Sequence, residues 1–333
     1  MELANRNKDN TIVLPVPLFG RAENPWHNGV DCKIKPYNSI TIPFIQFDWP
    51  IPIPYSTIRS MYRAIKESDV VHIWTFFYLS SWIAMCMGSF MNKKVIMSCD
   101  TFPGITFKSG AIDYLFKAYY LLFGWTFKIP DKIHVYTEEL AVVAKRFGIK
   151  AVVIPTGIHV SKFNPHNKKN KVFKVMFAGI LSKRKGADRL MSLIKYKPFC
   201  EFHIYGEGPY YNKYKREYSS ETVQFHGWSQ DIPKDLARSD VLVLLSRGEG
   251  LPGIVMEAMA SGLPVIATQP SDCLVDHNDT GIIVNDSSHA TMWLGHLINN
   301  RNMAKQMGKR GLKKIQAYDW KKIYKKYEVL LYD

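Results

Sequence analysis

Two carboxylates and a set of glycines carry the clearest chemistry in this chain. Glu249 and Glu257 stand with seven residues between them, inside Ser246-Arg247-Gly248-Glu249-Gly250-Leu251-Pro252-Gly253-Ile254-Val255-Met256-Glu257-Ala258-Met259-Ala260-Ser261-Gly262-Leu263-Pro264-Val265-Ile266-Ala267. Asp240 to Leu245 reads as a strand before this run, and Pro264 to Thr268 as a strand after it. Between them lie a glycine-broken loop and a short helix. A helix N-terminus leaves backbone N–H groups unpaired and carries partial positive charge, so it can hold a phosphate. Gly250 and Gly253 let the backbone approach a ligand closely. Carboxylates accept charge-assisted bonds from hydroxyls. Together these groups suit a ligand with both a phosphate and sugar hydroxyls. Two spaced glutamates alone would be solvated helix charges; the whole run between two strands is what makes the pattern specific.

The elements around this run form an alternating series. Strand-like segments in the first half are Thr11 to Pro15, Ser39 to Phe44, Val70 to Trp74, Lys94 to Ser98, Lys132 to Tyr136 and Ala151 to Pro155. In the second half they are Lys174 to Ala178, Glu201 to Tyr205, Val223 to His226, Asp240 to Leu245, Pro264 to Thr268 and Gly281 to Val284. Helix-like runs separate them almost throughout. Such alternation predicts an α/β protein with parallel sheets covered by helices, and two sets predict two Rossmann-like domains. The polar segment from His166 to Lys171 is the expected linker. Ligands of such sheets bind beyond the carboxyl ends of the strands. The segment from Tyr37 to Tyr55 holds Pro43, Pro50, Pro52 and Pro54, so its far end cannot be a regular central strand.

Composition narrows the classes. The 333 residues are 47% apolar and 22% charged, which is globular, and the length suits two domains. A formal charge of +15 admits nucleic acid, an anionic membrane surface or an acidic substrate as partner. No compact nucleic-acid motif accompanies it. Cys32, Cys86, Cys99, Cys200 and Cys273 contain no metal-type pair, so reduced thiols and a reducing compartment are expected. The first ten residues lack the apolar core of a signal peptide. Val70 to Asn92 carries no formal charge and is long enough to span a bilayer, but it reads better as a buried strand followed by a helix. The aromatic-rich helix from Ser109 to Phe127, with Lys117 inside it, is either an ordinary packed helix or one that touches lipid. Trp320, Ile323, Tyr324 and Tyr327 have the spacing of a packed helix face.

The Glu249 run, with Ala258-Met259-Ala260-Ser261-Gly262-Leu263-Pro264-Val265 behind it, resembles the retaining GT-B glycosyltransferases of glycosyltransferase family 4. Further segments resemble that family in its order: Gly179 to Gly186, Tyr205-Gly206-Glu207-Gly208-Pro209, Phe225-His226-Gly227-Trp228 and Pro155-Thr156-Gly157-Ile158-His159. Together they cover nearly all of Val152 to Asp333. The resemblance implies a GT-B architecture, with residues 1–165 and the last helix (319–333) on the acceptor side and residues 166–318 binding the nucleotide sugar. It implies that Glu249 and the backbone after it, at Gly250, Leu251 and Pro252, hold the donor sugar, that Glu257 holds the ribose, and that Lys185 binds the diphosphate. Gly206, Gly227 and Trp228 would border the nucleotide. Ile180 stands where the family has an arginine, and Arg184 or Lys183 could supply that charge, a guanidinium fitting a phosphate well.

The first half is less typical. Asp69-Val70-Val71-His72-Ile73-Trp74 resembles a family strand, with Trp74 in place of a second histidine. Cys99 occupies the place of a histidine that normally touches the donor sugar, which makes Asp100 the candidate for the polar role there, against a simple cap or turn function. Glu2 to Arg6 resembles the end of the family's first helix, so its first strand and glycine loop are expected to be missing. Losing a central strand would open two strand edges.

The resemblance implies sugar transfer with retention, without a metal and without a cofactor, the donor being a UDP- or GDP-sugar. No Asp-x-Asp occurs in the chain, in line with that. The acceptor is expected to be a glycan or lipid-linked sugar, the place cytoplasmic, at the inner face of the membrane where peripheral association with anionic lipid is one reading. Nucleic acid is not expected as a partner. The competing readings are a non-catalytic sugar-nucleotide binder or partner subunit, a nucleic-acid-binding protein resting on charge alone, and a sugar-nucleotide epimerase.

Overall fold

The computed structural model describes residues 11–17, 33–44, 47–52, 54–74, 78–100, 102, 111–165, 170–196, 199–249, 251–269 and 274–332. By packing, the chain divides into two compact units. The first takes the described residues up to Ile154 and the end of the last helix from Lys326; the second runs from Pro155 to Lys325.

The first unit contains two sheets. Strands β1 (Thr11–Pro17), β2 (Lys33–Phe44) and β3 (Phe47–Pro52) form one, with β1 parallel and β3 antiparallel to β2. β3 is an addition to the strands read from the sequence. It carries Pro50 and Pro52 and lies at a sheet edge, where a residue without an N–H is tolerated. Strands β4 (Val70–Trp74), β5 (Lys94–Cys99), β6 (Lys132–Val135) and β7 (Ala151–Val153) form a parallel sheet in chain order. Among the described residues β1, β3, β4 and β7 each pair on one side only and are the edge strands of the two sheets.

Helices α1 (Pro54–Lys66), α2 (Leu79–Phe90), α3 (Ala111–Phe123) and α4 (Glu138–Arg146) accompany these strands. The charge-free stretch from Val70 therefore resolves into β4 and α2. No helix among the described residues is long and apolar enough to cross a membrane. Gly88 of α2 faces the sheet, where an added Cβ would lie 3.0 Å from the Val95 side chain. The aromatic helix breaks at Phe123 and continues as a 3-10 turn, Gly124–Lys128.

The second unit holds one six-stranded parallel sheet. Its strands are β8 (Phe173–Ala178), β9 (Cys200–Tyr205), β10 (Val223–Gly227), β11 (Val241–Leu244), β12 (Val265–Thr268) and β13 (Gly281–Val284), in the order β10-β9-β8-β11-β12-β13. β11 and β12 are buried at every position, as strands covered on both faces must be. The helices are α5 (Ala187–Lys195), α6 (Tyr211–Tyr218), α7 (Ile232–Leu236), α8 (Gly253–Ala260), α9 (Ser287–Asn299) and α10 (Arg301–Ile315). The last helix, α11 (Trp320–Tyr332), buries Ile323, Tyr327 and Leu330 and leaves Trp320 and Tyr324 half-buried.

Candidate functional site

Strand order in the second unit reverses between β8 and β11, which are neighbours. Their carboxyl ends feed the loops 179–186 and 245–252, so Lys185 and Glu249 emerge at the switch point of the sheet, where such folds bind ligands. The loops touch through their backbones. Gly186 has a φ of +74° and a Cβ there would lie 2.0 Å from the Leu245 carbonyl oxygen, so no other residue fits. Arg247 ties the loops further. Its backbone N–H donates to Arg184 O at 2.7 Å, and its guanidinium donates to both carboxylate oxygens of Asp188 at 2.6 Å and to Lys183 O at 2.6 Å. Burial alone would raise the Asp188 carboxyl, but the paired bonds from Arg247 outweigh it and hold the group below its ordinary range. Arg189 adds a bond to Leu245 O at 3.3 Å.

Within this frame Glu249 has only 7% of its side chain open to solvent. Lys185 Nζ lies 2.8 Å from Glu249 Oε1, the Ser246 hydroxyl donates to the same oxygen at 2.8 Å, and Arg184 Nη1 lies 3.7 Å from Oε2. Arg184 also donates to Gly248 O at 3.0 Å. One carboxylate is thus matched by two cations, and the cluster keeps an excess of positive charge. That excess suits an incoming diphosphate, while the carboxylate stays available to a sugar hydroxyl.

The neighbouring strand ends are glycine turns. Gly179 N–H donates to Tyr205 O, and Gly206 N–H to Gly227 O at 2.6 Å. A Cβ on Gly206, at φ +106°, would collide with Gly179 O at 2.2 Å. The next residue along from Gly227 is Trp228, whose side chain is 71% exposed, an unusual state for a large apolar ring. Glu257 is half-buried in α8, and desolvation raises its carboxyl.

Helix tips differ in their capping. Helices α5, α6 and α8, which follow β8, β9 and β11, begin at Gly186, Tyr210 and Pro252 without any side-chain cap. Helices α7, α9 and α10 are capped by Asp231, Asp286 and Asn300. The tip of α8 also has no acidic residue in its first turn, and a Cβ on Gly253 would meet open space. An uncapped tip leaves amides and a partial positive charge for an anion.

Lys185, Arg184 and Glu249 therefore meet directly, with Gly206, Gly227, Trp228, Leu251, Pro252 and Glu257 on the same carboxyl side of the parallel sheet. Gly250 lies outside the described residues. Asp100 belongs to the first unit, exposed at the carboxyl end of β5; partial desolvation pushes its carboxyl upward, and its neighbour Cys99 is fully buried. The sequence reading assigned no role to Asp188, Arg189, Ser246 or Arg247. The signal for Asp188 was its place three residues after Lys185, in the first turn of α5, but a pair 59 residues apart cannot be read without the fold.

The sheet order and the glycine-turn edge define an α/β protein of GT-B type, and solved structures agree. The chain superposes on HepE from Anabaena, solved in complex with UDP and glucose, with a TM-score of 0.76 over 99% of this chain and 93% of that one, at 13% identity. It superposes on sucrose-phosphate synthase from Thermosynechococcus elongatus with a TM-score of 0.70 over 96% and 98%, at 15% identity. Residues 172–300 match the family described as Glycosyl transferases group 1. Among curated relatives, the Escherichia coli UDP-Gal:alpha-D-GlcNAc-diphosphoundecaprenol alpha-1,3-galactosyltransferase is 31% identical over 46% of this chain and 46% of that enzyme. The Bacillus anthracis N-acetyl-alpha-D-glucosaminyl L-malate synthase is 26% identical over 62% of this chain and 52% of that enzyme. The chain thus spans about half the length of these two relatives.

Proposed function

We propose that this protein transfers a sugar from a nucleotide-sugar donor to an acceptor hydroxyl with retention of configuration. The observation that carries this reading is the Lys185–Glu249 pair beside the uncapped tip of α8. The donor is a UDP-sugar: the Anabaena structure holds UDP, and the Escherichia coli relative is named for UDP-Gal. Lys185 and Arg184 take the diphosphate, exchanging part of their bond to Glu249 for phosphate oxygens. Glu249 then accepts from donor-sugar hydroxyls, and Glu257 from the ribose. Trp228 offers an open ring face to the base. Asp100 serves as a polar group on the acceptor side. Charge grows on the diphosphate as the sugar leaves, and fixed cations in a partly closed site stabilise it. The departing phosphate takes the acceptor proton, so no protein base is assigned. The acceptor is a glycan or lipid-linked sugar, as the name of the Escherichia coli relative suggests.

The test has two parts. UDP-sugars should raise the unfolding midpoint, because a ligand of the folded state stabilises it. Lys185→Ala should lower turnover by roughly a hundredfold to a thousandfold, as loss of one preorganised donor does. An unchanged rate would remove Lys185 from the mechanism, and no stabilisation by any nucleotide sugar would remove the donor site.

A further inference from the structure

The first unit has a helical layer whose outer face is the reverse of an ordinary solvent face. α2 lies between α1 and α3. Met61 and Ile65 of α1 pack against Ile83 and Met87 of α2, and Trp82 of α2 meets Phe123 of α3 edge-on with ring centroids 4.3 Å apart. On α3 and the turn that follows, positions 114, 117, 118, 121, 122 and 125 are all exposed, which is one stripe at helical spacing. Its large members stand well out: Tyr114 is 72% exposed, Leu121 85%, Leu122 65% and Trp125 60%. The lysine on the stripe, Lys117, lies over the Tyr114 ring at 5.5 Å. A packed helix would bury these side chains; here the inward side of α3 already has its own partners, Phe123 on Trp82 and Tyr120 on Phe147 at 4.2 Å.

The neighbouring face of α1 is aromatic and basic. Arg59, Tyr62, Arg63 and Lys66 are exposed on the side opposite Met61, Ala64 and Ile65. Lys93 bonds Lys66 O at 3.4 Å and brings a further cation to that end. The sequences of α1, α2 and α3 together hold four bases (Arg59, Arg63, Lys66, Lys117) and one acid, Asp113. The next helix, α4, is mixed, with Glu138 and Glu139 against Lys145 and Arg146. Helices α1 to α3 thus join a cationic excess to exposed leucine and aromatic rings.

The geometry points to an anionic lipid surface as the occupant of this face. Leu121, Leu122 and Trp125 enter the boundary between headgroups and acyl chains, Tyr114 sits at headgroup level, and the α1 cations lie against lipid phosphates. Aromatic rings with leucines on one face and Arg or Lys beside them is the pattern that holds a helix in that boundary without spanning it. Charge complementarity selects the occupant: a second copy of this chain would set like charge against like. The inference goes beyond the donor chemistry and does not depend on it, since every residue named belongs to the first unit.

The test uses the full chain and sedimentation with vesicles of phosphatidylcholine alone or mixed with phosphatidylglycerol. The wild-type chain should pellet with the mixed vesicles and be released by salt. Leu121→Ser with Leu122→Ser should weaken binding to the mixed vesicles roughly tenfold, and Arg59→Gln with Arg63→Gln should do the same. Brominated lipid should quench a part of the tryptophan fluorescence that is missing in Trp125→Phe, a readout that does not depend on the stability of the serine variant. Stabilisation by UDP should be the same in all these variants as in the wild type, which separates failure here from failure of the donor site. Equal binding by all variants, binding indifferent to phosphatidylglycerol, or a stripe-dependent dimer that never pellets with lipid would each overturn the inference.

Discussion

The middle of the first unit's parallel sheet and the rim of the second unit's sheet are both rich in polar groups, and they use them in opposite ways. In the first, His134 Nε2 donates to Ile154 O at 2.6 Å. A carbonyl can only accept, so that nitrogen carries the proton and Nδ1 is an acceptor. The Ser98 hydroxyl, 2.7 Å away, therefore donates to Nδ1, and must accept from His72 Nε2 at 2.7 Å. Tyr327 of the last helix closes on the same ring at 3.3 Å. Donors and acceptors of this chain satisfy one another, and burial holds both imidazoles neutral, with pKa values lowered to about 4. In the second, Lys185, Arg184 and Glu249 stand at strand ends beside helix tips that nothing caps. A shifted pKa marks burial, whereas a site is marked by groups whose pairing leaves capacity for something else.

Acid should break the closed network first. The folded pKa values of His72 and His134 lie below the unfolded value of 6.5, so the unfolded chain binds protons more readily between about 6.5 and about 4. Their contribution is whole above that window and falls as the pH drops through it, by about 2 kcal/mol per histidine at about pH 5. Unfolding midpoints measured from about pH 7 downward should decline accordingly; a flat profile would show that the two rings are solvated.

Gly186→Ala probes the rim. The left-handed backbone and the Leu245 carbonyl both oppose a Cβ, and the loss of stability should be about 3 kcal/mol, read by denaturant titration. Arg247→Lys keeps the charge but not the paired bonds to Asp188. With both partners about a third exposed, stability should fall by only about 1 kcal/mol, whereas UDP affinity, which needs the two loops in register, should fall several-fold. The smallest effect should distinguish the helix tips themselves. Asn300→Ala removes a cap and should cost about 1 kcal/mol with no change in UDP binding. Pro252→Asp supplies a cap to α8 and should leave stability within about 1 kcal/mol of the wild type while weakening UDP binding. Calorimetric titration of UDP into both variants decides; equal binding would mean that the tip of α8 holds no phosphate.

The sheet of the second unit was legible because its strands are short apolar runs bounded by glycines, and the Glu249 run was legible because its residue types and spacing are dense. β3 was not legible, since Pro50 and Pro52 argue against any central strand and only its edge position makes them acceptable. The aromatic helix was ambiguous for a different reason: periodicity gives a stripe, but the side of the helix that meets the protein is set by neighbours such as Trp82 and Phe147.

By itself the sequence determined most of the strands and helices, which strand ends are glycine turns, and that two glutamates and a lysine accompany them. Those features depend on local backbone preference and on side-chain period, which are written in consecutive residues. Tertiary structure alone decided that Lys185 bonds Glu249, that Arg247 grips Asp188, and that His72 and His134 share a serine. Each of those pairings joins residues from separate strands or loops, and their distances exist only once parallel strands far apart in the chain have been laid side by side.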